Sequence, residues 1–171
     1  DGIPYFEIIA LAGTAKADAA RAFMQKKLMP AIFLTGIPGD LGGGVVMNAG
    51  VGEMIVPREF CETVKWIEVL RPSLDIERVL GSQIKWEYRH SSGWQPGVIV
   101  RVCLEWKEES DPNVMNLVRQ ATQKRVQSQP LEMPSGGSTF RNPPGGKAAK
   151  IIDECGLKGL RVGGASVSMK H

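Results

Sequence analysis

The stretch Pro134-Ser135-Gly136-Gly137-Ser138-Thr139-Phe140-Arg141-Asn142-Pro143-Pro144-Gly145-Gly146 lies in the last quarter of this chain. It holds four glycines and three prolines in thirteen residues, which predicts a loop rather than a helix or a long strand. Ser138 follows two residues without side-chain bulk, so the backbone could approach a ligand closely and the hydroxyl could be presented to it. The alternative is an ordinary loop hydroxyl that bonds to its own backbone.

The composition indicates a globular protein and excludes several classes of partner. Apolar residues make up 43% and charged residues 23% of a 171-residue chain, long enough for one domain or for one domain and part of a second. The net charge of +3 is not gathered into a basic run, so we expect no nucleic-acid partner. No stretch is apolar enough to span a membrane. The mild positive balance suits an anionic small molecule, or it reflects chance surface composition.

Cysteine and histidine usage argues against a disulfide framework and against a metal centre. Cys61, Cys103 and Cys155 are odd in number and far apart, which predicts reduced and mostly buried thiols. The two histidines, His90 and His171, are too few for a histidine-based metal site. The chain opens without methionine or a signal peptide and stops abruptly at His171, which is the pattern of a fragment.

Hydrophobic periodicity predicts a mixed α and β fold without internal repeats. Strands are expected at 5–11, 64–70 and 98–106, the first buried and the last with Val98, Val100, Val102, Leu104 and Trp106 on one face. Helices are expected after a Thr14 cap as far as Pro30, after Asp111-Pro112 to about Val126, and at 148–155 before Gly156. A polar and aromatic turn is expected at 86–93, and a glycine-broken strand at 160–169.

Residues 36–50 form a second glycine-rich segment, with six glycines in fifteen residues. A turn, then a short strand or a tight helical turn, then another turn would accommodate it. Successive backbone N–H groups in such loops bind anions, although tight turns alone would also explain the glycines. The P-loop pattern fails because Ala148 follows Lys147 and Arg141 replaces its first glycine. The Rossmann pattern fails at Met47, and Gly-x-Ser-x-Gly is absent.

Three side chains remain as a candidate constellation. Ser138 could carry a proton, Asn142 could donate a hydrogen bond, and the guanidinium of Arg89 could hold a carboxylate with two parallel bonds. Taken singly, a surface arginine and a loop serine are the commoner interpretations.

The segments taken together resemble a known family. Gly36-Ile37-Pro38-Gly39, Leu41-Gly42-Gly43 and Met47-Asn48-Ala49-Gly50 are similar to the flavin-domain motifs of the UDP-N-acetylenolpyruvoylglucosamine reductases. Tyr88-Arg89 resembles the family's catalytic Tyr-Arg pair, and 129–140 resembles its catalytic serine loop. Pro143-Pro144-Gly145 and the residues 157–171 complete the resemblance in the family's order.

The resemblance implies reduction of the enolpyruvyl ether of UDP-N-acetylglucosamine to UDP-N-acetylmuramate, a cytoplasmic step in peptidoglycan precursor synthesis. In that family hydride travels from NADPH by way of FAD to C3 of the enolpyruvyl group. Ser138 would then give a proton to C2, and Arg89 would stabilise the enolate-like charge on the substrate carboxylate. Tyr88 and Asn142 would contact the substrate. The flavin would be held by Gly36, Ile37, Pro38, Gly39, Gly42, Gly43, Asn48, Ala49 and Gly50.

The resemblance also implies an α+β fold with two domains. Residues 1–110 would be an FAD-binding domain of the PCMH-type or reductase kind, and 111–171 the start of a smaller α+β substrate-binding domain, with the active site between them and the protein a monomer. The family's first flavin segment and its catalytic glutamate have no counterpart, and Ser128 stands where many members have lysine. Two alternatives remain: a non-catalytic module that binds a nucleotide sugar or flavin, and a related flavoenzyme with another substrate.

Overall fold

The protein was analysed as a computed structural model, which describes residues 5–51 and 57–170. The chain divides into two compact units, Asp1–Thr122 and Gln123–His171. The first contains strands β1 (Phe6–Leu11), β2 (Val64–Leu70), β3 (Ile76–Leu80), β4 (Lys85–Glu87), β5 (His90–Ser92) and β6 (Val98–Trp106), and helices α1 (Lys16–Gln25), α2 (Pro30–Thr35) and α3 (Leu41–Val46). Helix α4 (Val114–Ser128) runs across the division, and α5 (Ala148–Glu154), β7 (Arg161–Val162) and β8 (Ala165–Ser166) follow it.

An antiparallel sheet in the order β1-β6-β2-β3 organises the first unit. One face of this sheet and helices α1 to α4 contribute to a single apolar core. The fully buried side chains at its centre are Phe23, Phe33, Phe60, Leu34, Leu41, Ile67, Leu104, Val45, Val69, Val102 and Val114. The core therefore fixes α2 and α3 against the sheet, and with them the glycine-rich segment 36–50, of which α3 is a part.

The predicted strands at 5–11, 64–70 and 98–106 are confirmed, but two details of their burial were wrong. β1 is an edge strand with one covered face, so Ile9 and Leu11 are 56% and 66% exposed. In β6, Ile99 is buried and Val98 is 64% exposed. The pairing with β2 skips Val100, and this bulge reverses the facing of Val98 and Ile99, whereas Val102, Leu104 and Trp106 face the core as predicted.

The N-terminal helical segment is two helices rather than one. The residue before α1 is Ala15, not Thr14, and no side chain caps the helix. The chain leaves α1 through Lys27 at φ +56°, and Pro30 begins α2 instead of ending a helix, because proline is tolerated in a first turn. Within 36–50 the helical alternative is the observed one, since residues 41–46 form α3.

Helix α4 has the predicted buried stripe, but it begins at Val114 rather than at Pro112, which lies in the turn before it. The Asp111 carboxylate accepts a hydrogen bond from the Asn113 N–H at 2.8 Å, just before the helix. Val114 and Val118 are buried, and Leu117 and Ala121 pack beside them. The helix continues to Ser128, slightly beyond the predicted end.

The second unit is mostly loop. The predicted helix at its centre is confirmed as α5, with Gly156 at φ +65° after its end. The predicted glycine-broken strand is the β7–β8 hairpin, which turns at Gly163-Gly164. Residues 131–147 contain neither helix nor strand, as predicted.

The three cysteines differ in their burial. Cys103 is buried and Cys61 half-buried, whereas Cys155 is exposed, so the expectation of mostly buried thiols was wrong for Cys155, whose helix covers nothing in its own unit. None of the helices in the described residues is long and apolar enough to cross a membrane. His171 lies outside the described residues.

Candidate active site

Arg89 lies at the tip of a tight hairpin. β4 and β5 pair with Glu87 opposite His90, so Tyr88 and Arg89 alone form the turn. Arg89 has φ +57°, a left-handed conformation that costs a non-glycine residue roughly 1 kcal/mol or more. Strained backbone of this kind concentrates at functional sites, which gives Arg89 a distinction that its sequence position did not reveal.

The Arg89 side chain is bound to the loop that follows α3 and to a carboxylate. Its Nη2 donates to the carbonyl oxygen of Gly50 at 2.8 Å, and Nη1 lies 3.3 Å from Oε1 of Glu59. A longer contact of 3.5 Å joins Nη1 to the carbonyl oxygen of Asn48. The Tyr88 ring centroid lies 4.8 Å from the guanidinium carbon. The guanidinium is therefore held in one place rather than extended into solvent.

Buried polar side chains anchor the hairpin to the end of α3. The Ser91 hydroxyl, fully buried, donates to the carbonyl oxygen of Val46 at 3.2 Å and accepts from the indole N–H of Trp94 at 3.0 Å. The indole N–H of Trp86 donates to the Gly81 carbonyl oxygen at 2.9 Å. The Ser91 bond joins the hairpin to the end of α3, and the Trp86 bond joins it to the residues before β4. Together they help to fix the position of Arg89.

Asn48 connects the hairpin to the Glu59 carboxylate. It is 1% exposed and has φ +37°. Its Nδ2 donates to Oε2 of Glu59 at 2.9 Å and to the carbonyl oxygen of Glu87 at 3.1 Å, and its Oδ1 accepts from the Cys61 N–H at 3.0 Å. The amide thus serves three segments at once. Sequence reasoning missed Glu59, because nothing in its neighbourhood marks it as the partner of an arginine thirty residues later.

The glycines of the segment 36–50 fall into two groups. A Cβ on Gly42 would lie 2.9 Å from Cβ of Ala12, one on Gly44 2.4 Å from the Phe60 ring, and one on Gly50 2.4 Å from a backbone oxygen. Those three glycines allow close packing. Gly43 differs: it is an exposed helical position where an added Cβ would meet no atom of another segment within 4 Å. Neither packing nor backbone angle requires glycine there, and the α3 backbone is uncovered at this point.

The turn before α3 is held by a buried lysine. Lys16 is 4% exposed, and its amino group donates to the carbonyl oxygen of Pro38 at 2.7 Å beneath Gly39, which has φ +90°. Burial lowers the pKa of Lys16, and the nearby Asp40 carboxylate opposes that shift. The Gly36 and Ile37 N–H groups bond to the end of α2, so they continue that helix rather than face outward as an anion-binding nest. The sequence did not single out Lys16.

Ser138 lies in the second unit, in an exposed loop. Gly136 and Gly137 have no atom within 4 Å of an added Cβ, and Gly137 has φ +69°. Within this loop the Ser135 hydroxyl accepts a hydrogen bond from the backbone N–H of Gly137 at 3.1 Å. Asn142 accepts through Oδ1 from the Ala148 N–H at 3.1 Å, at the start of α5. The loop is therefore shaped on both sides of Ser138 by short-range bonds.

The site residues proposed from the sequence thus fall into two groups. Tyr88, Arg89, Asn48 and Gly50 come together in the first unit, with Glu59 added by the structure. Ser138 and Asn142 belong to the second unit. Among the described residues no cluster of three or more histidine, cysteine or acidic side chains could hold a metal ion.

Comparison with known proteins gives a consistent result across the chain. A family model described as the C-terminal domain of UDP-N-acetylenolpyruvoylglucosamine reductase matches residues 129–171. The protein named UDP-N-acetylenolpyruvoylglucosamine reductase from Caldanaerobacter subterraneus subsp. tengcongensis is 36% identical over 169 residues, which is 96% of this chain and 54% of that relative. The protein of the same name from Clostridium beijerinckii is 37% identical over 166 residues, 96% of this chain and 53% of the relative.

A solved structure agrees with the sequence relatives. The crystal structure of UDP-N-acetylenolpyruvylglucosamine reductase from Thermus caldophilus matches with a TM-score of 0.82 and 32% identity over 96% of this chain and 59% of its own. The mixed α and β fold is therefore the one seen in that reductase. The chain spans about half the length of the curated relatives it matches. On this evidence residues 129–171 match the C-terminal domain of the UDP-N-acetylenolpyruvoylglucosamine reductase family, and 96% of the chain is similar to about half of proteins of that name.

Proposed function

We propose that this chain forms part of an enzyme that reduces the enolpyruvyl ether of UDP-N-acetylglucosamine to UDP-N-acetylmuramate, with NADPH as reductant and FAD as cofactor. The step supplies a peptidoglycan precursor and takes place in the cytoplasm. The partner is a small nucleotide sugar rather than nucleic acid or a membrane, and the protein acts as a monomer.

The observation that carries this proposal is the extent of the relationship. The Thermus caldophilus reductase is similar over 96% of the chain, a span that includes both the Arg89 hairpin and the Ser138 loop. A strained arginine turn and a serine in an open loop favour turnover over a module that only binds, because the proposed reaction needs both a fixed positive charge and a proton donor.

The residues of the chain suit the chemistry of that reaction. Hydride addition to an enolpyruvyl group leaves negative charge next to a carboxylate, which a fixed guanidinium stabilises electrostatically. Arg89 would fill that role, and Tyr88 would contact the substrate beside it. The carbanion must then be protonated, and Ser138 would donate the proton as a general acid. Asn142 would hold the substrate from the same loop.

FAD would supply the hydride transfer, which no amino-acid side chain provides. The residues present fit such a group at one position above all, because Gly43 leaves the α3 backbone uncovered. Gly36, Ile37, Pro38, Gly39, Gly42, Asn48, Ala49 and Gly50 would complete the flavin segment. In this proposal 1–110 belongs to an FAD-binding domain and 111–171 to a substrate-binding domain.

A spectrum and a half-reaction test the proposal. The purified full-length protein is expected to carry the visible absorbance of oxidised flavin and to lose it when NADPH is added without oxygen. Addition of the enolpyruvyl nucleotide should restore the absorbance and yield UDP-N-acetylmuramate. A yellow protein that is bleached by NADPH but not reoxidised by this nucleotide would point to a related flavoenzyme with another substrate. A full-length protein that contains this chain and retains no flavin would contradict the proposal.

A further inference from the structure

The Arg89 guanidinium lies against a carboxylate, that of Glu59, which the sequence did not identify. Glu59 precedes a 3₁₀ turn, Phe60–Glu62, and its backbone N–H donates to the Glu62 carboxylate at 3.2 Å. Its own Oε1 faces Arg89 at 3.3 Å while Oε2 accepts from Asn48 at 2.9 Å. One carboxylate thus links a buried amide on one side to the arginine on the other.

The geometry of the two bonds shows which partner holds Glu59. Charge-assisted N–H···O bonds are strongest near 2.7–2.9 Å. The 2.9 Å bond from Asn48 reaches that range, and the 3.3 Å contact with Arg89 does not. Asn48 is almost completely buried, whereas the Glu59 and Arg89 side chains are 30% and 24% exposed. Oε2 of Glu59 is therefore held by the bond from the buried Asn48 amide, and Oε1 faces the Arg89 guanidinium.

Asn48 also sets the base of the hairpin that carries Arg89. Its Nδ2 donates to the carbonyl oxygen of Glu87, the last residue before the Tyr88-Arg89 turn. The Asn48 amide therefore bonds both to the hairpin that carries Arg89 and to the carboxylate that contacts its guanidinium. Both N–H donors of that amide are thus used within the protein.

We propose that Glu59, held by Asn48, is a positioning residue for Arg89: it sets where the guanidinium lies and so its effectiveness towards the substrate carboxylate. This inference rests on the proposed function for its chemical consequence, but the contact itself does not. A charge placed by a second charge needs no rearrangement when the transition state forms, which is the condition for efficient electrostatic stabilisation.

The main test is Glu59→Gln in the FAD-loaded protein, which keeps the shape of the side chain and removes its charge. We expect kcat for the enolpyruvyl nucleotide to fall about tenfold, less than the roughly 10²-fold loss expected when a transition-state donor is itself removed, because Arg89 is still present. Reduction of the flavin by NADPH should stay within about twofold, since Arg89 has no part in it. The matched control is Glu87→Gln, which removes an exposed charge from the same hairpin and should leave kcat within about twofold.

A double-mutant cycle separates positioning from a merely structural role. In an Arg89→Lys background, the effect of Glu59→Gln on kcat should shrink to less than about twofold, because residues that act as a unit are not additive. A tenfold loss that persists in that background would overturn the inference. Glu59→Asp keeps the charge but is too short to reach both partners, so wild-type kcat in this variant would also overturn it.

A measurement without turnover keeps this inference separate from the proposed function. The ¹⁵N resonances of the Arg89 guanidinium, assigned by their loss in Arg89→Lys, should show restricted rotation in the wild-type protein and faster rotation in Glu59→Gln. Unchanged rotation would contradict the positioning role even in an active enzyme. If rotation changes but the nucleotide is not reduced, the proposed function fails and the positioning role of Glu59 stands.

Discussion

Arg89 and Ser138 are held in their respective units by different means. Arg89 is a half-buried residue in a strained turn, and its side chain contacts backbone oxygens, a carboxylate and an aromatic ring. Ser138 lies in an exposed loop shaped by Ser135 and Asn142, with two open glycines in front of it. Tertiary packing determines the position of the first, and local turn chemistry determines the shape around the second.

The difference matches the two proposed tasks. A group that stabilises developing charge works best when it is fixed beforehand, because reorientation during the reaction would cost free energy. A group that delivers a proton must come close to the reacting carbon, and an approach without side-chain bulk favours that. The comparison therefore predicts that substitutions near Arg89 affect stability and catalysis together, whereas those near Ser138 affect catalysis alone.

Ser138→Ala is expected to have the largest effect. Loss of a general acid typically costs about 10²- to 10⁴-fold, so steady-state reduction of the enolpyruvyl nucleotide should slow by that factor. Flavin reduction by NADPH, followed by stopped-flow absorbance, should be unchanged, and so should the unfolding midpoint. Thr139→Ala removes the neighbouring exposed hydroxyl and serves as the control. Normal turnover by Ser138→Ala would refute the proton-donor role.

Arg89→Lys should affect both properties. Lysine keeps the charge but lacks the planar fork, so it cannot reach the Gly50 carbonyl oxygen and Glu59 together. We expect kcat to fall about 10²-fold, the cost of one displaced electrostatic donor. Urea unfolding should show a loss of about 1 kcal/mol as well. Loss of activity with unchanged stability would contradict the statement that tertiary packing holds Arg89 more firmly than Ser138.

Gly44→Ala and Gly136→Ala test the contrast by stability alone. A Cβ on Gly44 would overlap the buried Phe60 ring, so unfolding experiments should show a loss of about 1–3 kcal/mol. At Gly136 nothing lies within 4 Å, and the change should stay within about 0.5 kcal/mol. Gly43→Ala, one residue before Gly44, controls for helix propensity and should be neutral or stabilising by up to about 1 kcal/mol. Equal losses at residues 44 and 136 would contradict the packing argument.

The smallest effect is expected from the buried Lys16. Its pKa in the folded protein lies below the ordinary value of 10.5, so on acidification the unfolded chain takes up this proton first. Stability should therefore fall as the pH drops from above 10.5 to the lowered pKa, and remain constant below it. Lys16→Met should remove this dependence, measured as the difference in urea unfolding between the two proteins across alkaline pH. Lys26→Met, exposed just after α1, should not change it.

Local sequence patterns were sufficient for much of the fold. Period-two and period-3.6 patterns located β2, β6 and α5 because each of these signals lies within a few consecutive residues. The patterns missed β3 and α2 and misjudged the faces of β6. Those features depend on partners distant in sequence. β3 is a strand because it pairs with β2, and the bulge at Val100 of β6 is visible only in the register between β6 and β2.

The candidate site likewise combines features that local sequence predicts with features that depend on distant segments. Motifs selected Arg89, Ser138, Asn142 and the glycine-rich segment, since each lies in a short run of recognisable composition. They did not separate packing glycines from Gly43, and they did not find Glu59 or Lys16. Which glycine faces a neighbour and which faces open space depends on atoms brought in from other segments.

By itself, the sequence determined the resemblance to a reductase family and the order of the main elements, and it selected the side chains proposed for the chemistry. The tertiary structure alone decided how those side chains are held. It joined Asn48, Glu59 and Arg89 across forty residues of chain, buried Lys16 beneath the Pro38 turn, and left Gly43 uncovered. The physical reason is that motifs record local backbone requirements, whereas burial and charge pairing arise only when distant segments share one core.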